Sequence, residues 1–185
     1  MKCGVLILLA YFNFLVFCPV SLAEEKVYHI GPADVIEISV WKDPELSRNL
    51  VVPPDGIISV PLIGSINVTS LTVPELRKII TQKLSEFIPD VTVTVMLIEI
   101  NSLKAYVIGK VNIPGEFPIN LETSVMQILA KAGGLTPFAS DGNITILRQK
   151  DKQITNIPFD YGEVEKGKNL EQNIILQPGD VVVVP

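Results

Sequence analysis

Two stretches with helical spacing, each opened by a capping box, stand in a chain otherwise made of short alternating strands. In "TVPELRKIITQKLSEFI", Thr72–Ile88, Thr72 and Glu75 have the reciprocal spacing that satisfies two orphan N–H groups at a helix start. Pro74 sits in the first turn, where its missing N–H matters little. Val73, Leu76, Ile79, Ile80, Leu84, Phe87 and Ile88 form one apolar stripe, and Pro89-Asp90 ends it. The second stretch is shorter. Ser124 and Gln127 cap Val125–Ala132, with Val125, Ile128, Leu129 and Ala132 inward. Gly133 then falls where helices commonly end in the left-handed region.

Around these helices the period changes to two. In "DVIEISVW", Asp34–Trp41, Ile36, Ile38 and Val40 face one way and Glu37 and Ser39 the other, a half-buried strand. "LVVPPDGIISVPLIG" reads as two short strands around the turn Pro53-Pro54-Asp55-Gly56. Val91–Ile100 alternates, and Asn101-Ser102 looks like a break. A second block follows: a strand over Lys104–Val111, a turn at Pro114-Gly115 into another, then "NITILRQ", its hairpin partner "KQITNIPF", and a last strand in "QPGDVVVVP". The predicted class is α+β, with two small units in series, each with one helix on a short-stranded sheet. The second is compatible with a β-grasp.

The first residues read differently. Lys2 precedes an apolar run from Val5 to Val20 broken by Asn13, and Ser21-Leu22-Ala23 supplies an A-x-A-like site. Residues 1–23 therefore read as a secretory signal peptide cleaved after Ala23, against the alternative of an uncleaved anchor. Phe17 before Cys18 and Pro19 after it make Cys18 a poor lipidation site. With Cys3 and Cys18 both in the leader, the remainder is expected to hold no disulfide and no thiol nucleophile. Without Lys2, the 15 basic residues become 14 against 20 acidic, a net charge of −6. That charge argues against nucleic acid as partner.

Catalytic groups are sparse. Beyond residue 23 the only histidine is His29, too few for a metal cluster. Asp34, Glu37, Asp43 and Glu45 are close in sequence, but a strand splays alternate residues, and these acids read as a solvated strand face. No catalytic, metal or cofactor residue is assigned. Trp41 reads as core, with stacking on a sugar ring or a neighbouring subunit as the alternative. Arg148 reads as an edge-strand charge that blocks unwanted pairing.

These motifs carry a resemblance. "YHIGPADVIEISVWKDPELS", "VVPPDGIISVPLIG" and "LTVPELRKIITQKLSEFIPDVTVTV" resemble the polysaccharide biosynthesis/export domain of bacterial envelope sugar exporters. "AYVIGKVNIPGEFPI", "SVMQILAKAGGLTPFA", "ITILRQ" and "LQPGDVVVVP" resemble the soluble-ligand-binding β-grasp (SLBB) domain that follows it there. The likeness runs from Tyr28 to Pro185, with boundaries at 24–102 for the export domain and 103–185 for the second. The single β-grasp length and "NLEQNI" are similar to short export proteins of exosortase-linked exopolysaccharide clusters. The resemblance implies a periplasmic, outer-membrane-associated component of an exopolysaccharide export channel. Its copies would form a homo-oligomeric ring, work with an inner-membrane polysaccharide copolymerase, and conduct polymer without covalent chemistry.

Two departures from the large capsule exporters bear on this. No convincing lipidated cysteine is present, and the chain stops at Pro185 where those proteins continue towards an amphipathic membrane-spanning helix. A separate outer-membrane β-barrel is then expected to supply the pore, or the ring acts as a collar. The alternatives are a monomeric periplasmic glycan-binding adaptor and, third, an enzyme that trims the polymer. Candidate glycan or subunit contacts are Trp41, Asp55, Gly56, Leu135, Thr136, Pro137, Phe138 and Arg148. Gly133 and Gly134 are expected to stop the helix and allow close packing.

Overall fold

The computed structural model describes residues 27–150 and 152–185; the expected leader, with Cys3 and Cys18, lies outside them. The described residues form two α+β units in series. Each has its own apolar cluster, one drawn from residues between Ile30 and Val95 and the other from Leu103 to Val184.

The first unit runs β1 (Val35–Val40), β2 (Asp43–Val51), β3 (Ile57–Val60), β4 (Gly64–Asn67), α1 (Val73–Leu84) and β5 (Val93–Glu99). β1 is the middle of an antiparallel sheet in the order β2-β1-β5, and β3-β4 is a separate hairpin. The alternation in β1 is the physical basis of the unit. Ile36, Ile38 and Val40 are buried and meet Leu76, Ile80 and Leu84, which α1 presents at four-residue intervals. Thr72 and Glu75 form the capping box, with the Thr72 N–H donating to Glu75 Oε2 at 2.8 Å. That donor holds the exposed Glu75 carboxyl below its usual range.

The structure differs from expectation at three points here. β2 begins at Asp43, inside "KDPELS"; of its nine residues only Leu46 is buried, so pairing with β1 creates a strand that its own pattern does not announce. α1 ends at Leu84, and the Phe87 and Ile88 N–H groups both converge on the Leu84 carbonyl. The chain leaves the helical register there, so Phe87 is exposed rather than part of the stripe. Trp41 is not core: it is 72% exposed. Val40 points inward as the last residue of β1, Trp41 follows on the turn facing outward, and Lys42 at φ 63° turns the chain into β2.

The second unit runs β6 (Lys104–Gly109), β7 (Gly115–Pro118), α2 (Val125–Lys131), β8 (Ile144–Lys150), β9 (Gln153–Phe159), α3 (Tyr161–Glu165) and β10 (Val181–Val184). Its five-stranded sheet has the order β7-β6-β10-β8-β9. β10 is last in the chain yet lies in the middle, parallel to β6 and antiparallel to β8. Val125, Ile128, Leu129 and Ala132 are fully buried against Ala105, Val107, Ile146 and Val182. α3 is a second helix where one was expected; its five residues, capped by Asp160, are too short to show a period.

Candidate functional site

The segment after α2 is fixed by hydrogen bonds along most of its length. Gly133 and Gly134 have φ of 77° and 80°, and their N–H groups donate to Ala130 O at 3.0 Å and Leu129 O at 2.9 Å. That pair of bonds is a Schellman stop, which glycine enters without a Cβ penalty. The following loop is then tied down. Leu135 bridges Val111 and packs on the core, the Thr136 N–H donates to Lys110 O at 3.0 Å, and the Ser140 N–H donates to Pro185 O at 2.7 Å. Pro137 and Phe138 form the exposed part, and Phe138 is 81% exposed. A large apolar ring on a rigid loop is a ready contact element.

In the first unit, the turn before β3 is equally constrained. Asp55 Oδ1 accepts the Ile57 N–H at 3.1 Å, and the Gly56 N–H donates to Pro53 O at 2.9 Å. Gly56 has φ 71°, and a Cβ there would collide with the Thr69 side chain. Gly56 is thus required by packing, while Asp55 and Trp41 are exposed.

Arg148 is not on an edge. β8 lies between β10 and β9, and the guanidinium turns inward to Asp180, which is 1% exposed. Its Nε donates to Asp180 Oδ1 at 3.0 Å and its second nitrogen to Oδ2 at 2.7 Å, with a further bond to Ile175 O at 3.1 Å. The Asp180 hydrogen bond holds the Arg148 pKa above its ordinary value. Sequence brings Arg148 and the Leu135–Phe138 loop near each other, but the fold does not. Asp180 precedes β10 and Pro185 follows it, so the two features sit at opposite ends of that strand.

A joint between the units is missed by the sequence reading altogether. Asp34 is not a solvated acid; it is fully buried. Its Oδ1 accepts the N–H groups of Asn101 and Ser102, each at 2.9 Å, and its Oδ2 accepts the Gly31 N–H at 2.9 Å and the Tyr28 hydroxyl. Tyr28 also bonds Ser102 Oγ at 2.8 Å and packs its ring on the second unit's core. One carboxylate therefore clasps the entry to the first unit and the exit into the second.

Burial, then the bond to Asp34, pushes the Tyr28 pKa up to about 12. A raised folded-state value means stability that is full below pH 10 and is lost as pH rises towards 12. In urea melts between pH 9 and pH 12, we expect the protein to lose more stability than Tyr28→Phe. Parallel curves would show that Tyr28 ionises freely.

Among the described residues, no group of three or more His, Cys, Asp or Glu could hold a metal ion. Nor is any described helix long and apolar enough to cross a membrane. Among the described residues, Trp41 and Phe138 are the most exposed of the aromatic side chains, one in each unit.

A two-unit α+β chain with a clasped joint defines a class of modular protein, and comparison with known proteins names its modules. Residues 22–97 match the polysaccharide biosynthesis/export protein family, and residues 103–184 match the SLBB domain. The chain belongs to the polysaccharide biosynthesis/export proteins. It is 29% identical to the EPS I polysaccharide export outer membrane protein EpsA of Ralstonia nicotianae, over 88% of this chain and 48% of that protein. It is 31% identical to the polysialic acid transport protein KpsD of Escherichia coli, over 85% of this chain and 28% of that one. The capsule polysaccharide export outer membrane protein CtrA of Neisseria meningitidis is 26% identical, over 82% and 42%. The chain spans less than half the length of each of these relatives.

Proposed function

We propose that this protein is a non-enzymatic component of an exopolysaccharide export system, located in the periplasm against the outer membrane. In this reading residues 24–102 are the export domain and 103–185 the SLBB domain with β-grasp topology. Copies assemble head to tail into a ring that lets polymer pass. An inner-membrane copolymerase delivers the polymer, and a separate outer-membrane β-barrel completes the route. The observation that carries the reading is the order of the two matched domains over 22–184, the order also expected from the sequence motifs. The clasp at Asp34 supports it, because a closed ring needs each subunit to hold one interdomain angle.

Light scattering over a concentration series tests the assembly. A discrete oligomer supports the ring and gives its subunit number. A monomer at every concentration overturns the ring and leaves the glycan-binding adaptor. The exposed aromatic loop gives a second prediction. Replacing the exposed Pro137-Phe138 by Gly-Ser is expected to keep the fold, since Leu135 and Ala139 stay packed on the core, but to abolish assembly or export; unchanged polymer on the cell surface would remove the loop from the contact.

A further inference from the structure

Two loops that carry no charged residue lie side by side at one end of the second unit. Residues 111–114 join β6 to β7, and residues 133–140 follow α2. Hydrogen bonds tie one to the other. The Asn112 N–H donates to Gly134 O at 3.1 Å, the Ile113 N–H to Ala132 O at 2.9 Å, and the Asn112 side-chain amide to Gly133 O at 2.7 Å. A Cβ on Gly133 would stand 3.2 Å from that of Asn112, so the loops are in direct contact. Each puts one large apolar side chain into water beside a proline: Ile113, 58% exposed, before Pro114, and Phe138, 81% exposed, after Pro137.

Most backbone donors at this end are engaged within the fold. The N–H groups of Val111, Asn112 and Ile113 donate to backbone carbonyls, and so do those of Gly133, Gly134, Thr136, Ala139 and Ser140. Pro114 and Pro137 have no N–H to satisfy. An apolar medium can therefore take up the two side chains while few donors lose water, which is the condition lipid sets for any backbone near it. Trp41, the other strongly exposed ring, has the charged Lys42 and Asp43 as its next neighbours.

We propose that this end of the second unit docks on a phospholipid bilayer, with Phe138 and Ile113 entering the boundary between headgroups and acyl chains. Lys110, exposed and next to the first loop, is placed to keep its ammonium at the water side. Charge does not drive the contact. With 14 basic against 20 acidic residues after residue 23, the net −6 gains nothing from an anionic surface. Attraction has to come from the apolar side chains. Two of them hold one copy weakly, and several copies in one assembly multiply the effect. That the bilayer is the outer membrane rests on the export reading above; the affinity for lipid rests on the two loops alone.

Vesicle flotation tests the docking on residues 24–185, without the apolar leader that would itself partition. We expect flotation with phosphatidylcholine vesicles, kept at high salt and not improved by added phosphatidylglycerol. In the variant carrying Ile113→Ser and Phe138→Ser the partition coefficient should fall about tenfold or more, with unchanged melting temperature and unchanged mass by light scattering. Fluorescence then locates the contact. Trp41 is the chain's one tryptophan, so its emission should not move when vesicles are added. With Trp41→Phe and Phe138→Trp combined, the emission should shift to the blue. No flotation, flotation unchanged in the double serine variant, or a blue shift from Trp41 overturns the site. Binding that requires phosphatidylglycerol overturns the apolar mode. A lower oligomer mass in the serine variant also overturns the proposal and makes this end a contact between copies. The export reading fails separately, if deleting the gene leaves surface polymer unchanged.

Discussion

Asp34→Ala is expected to lower the unfolding free energy by about 3–5 kcal/mol, the largest loss from any single side chain of the joint. The carboxylate is fully buried and receives three backbone N–H groups and the Tyr28 hydroxyl. Removing it leaves the Gly31, Asn101 and Ser102 N–H groups without an acceptor, at about 1–3 kcal/mol for each group that water cannot reach. Tyr28→Phe removes one hydroxyl and leaves the carboxylate bonded by the backbone, so about 1 kcal/mol is expected. The ratio between the two variants is the informative quantity, read from urea midpoints at neutral pH. A loss below about 1 kcal/mol for Asp34→Ala would mean that water replaces the carboxylate and the joint is not clasped. Cleavage by a protease near Ser102 should rise in the same variant, because the Asn101 and Ser102 backbone then loses its anchor.

Why the sequence hides this residue is a matter of what its partners are. Asn101 and Ser102 lie 67 and 68 residues away, and they contribute backbone N–H groups, which every non-proline residue has. No spacing or residue type marks such a contact in advance. By contrast, both capping boxes are legible, because each lies within four residues and depends on side chains of known preference. The inward faces of β1 and α2 are legible for a similar reason: period and parity alone place Ile36, Ile38 and Val40, and Val125, Ile128, Leu129 and Ala132.

Trp41 illustrates a conflict between two such rules. Its parity continues the outer side of β1, whereas its size favours burial; the ladders lock β1 as far as Val40, and Trp41 stands just beyond them, exposed on the turn into β2. Of the candidate contacts, Phe138 and Trp41 emerge exposed, while Gly56 is committed to packing and Arg148 to an ion pair.

Arg148→Met should destabilise the second unit by about 3 kcal/mol, well beyond the effect of removing a surface charge. Arg148 would be an edge charge if sheet order followed chain order. The last strand inserts instead between β6 and β8, which buries the Asp180 side chain at the start of β10 and makes Arg148 its counter-ion. With methionine in place, Asp180 keeps only the Gln177 N–H at 2.8 Å, and a buried carboxylate is left under-compensated. Asp180→Ala should cost less, because the Arg148 side chain is 19% exposed and can reach water while keeping Ile175 O. The double variant should therefore be more stable than Arg148→Met alone, a reversal that independent sites cannot produce. If Arg148 acts instead as a guard or a glycan contact, Arg148→Met leaves the denaturation midpoint unchanged and the double variant is no better.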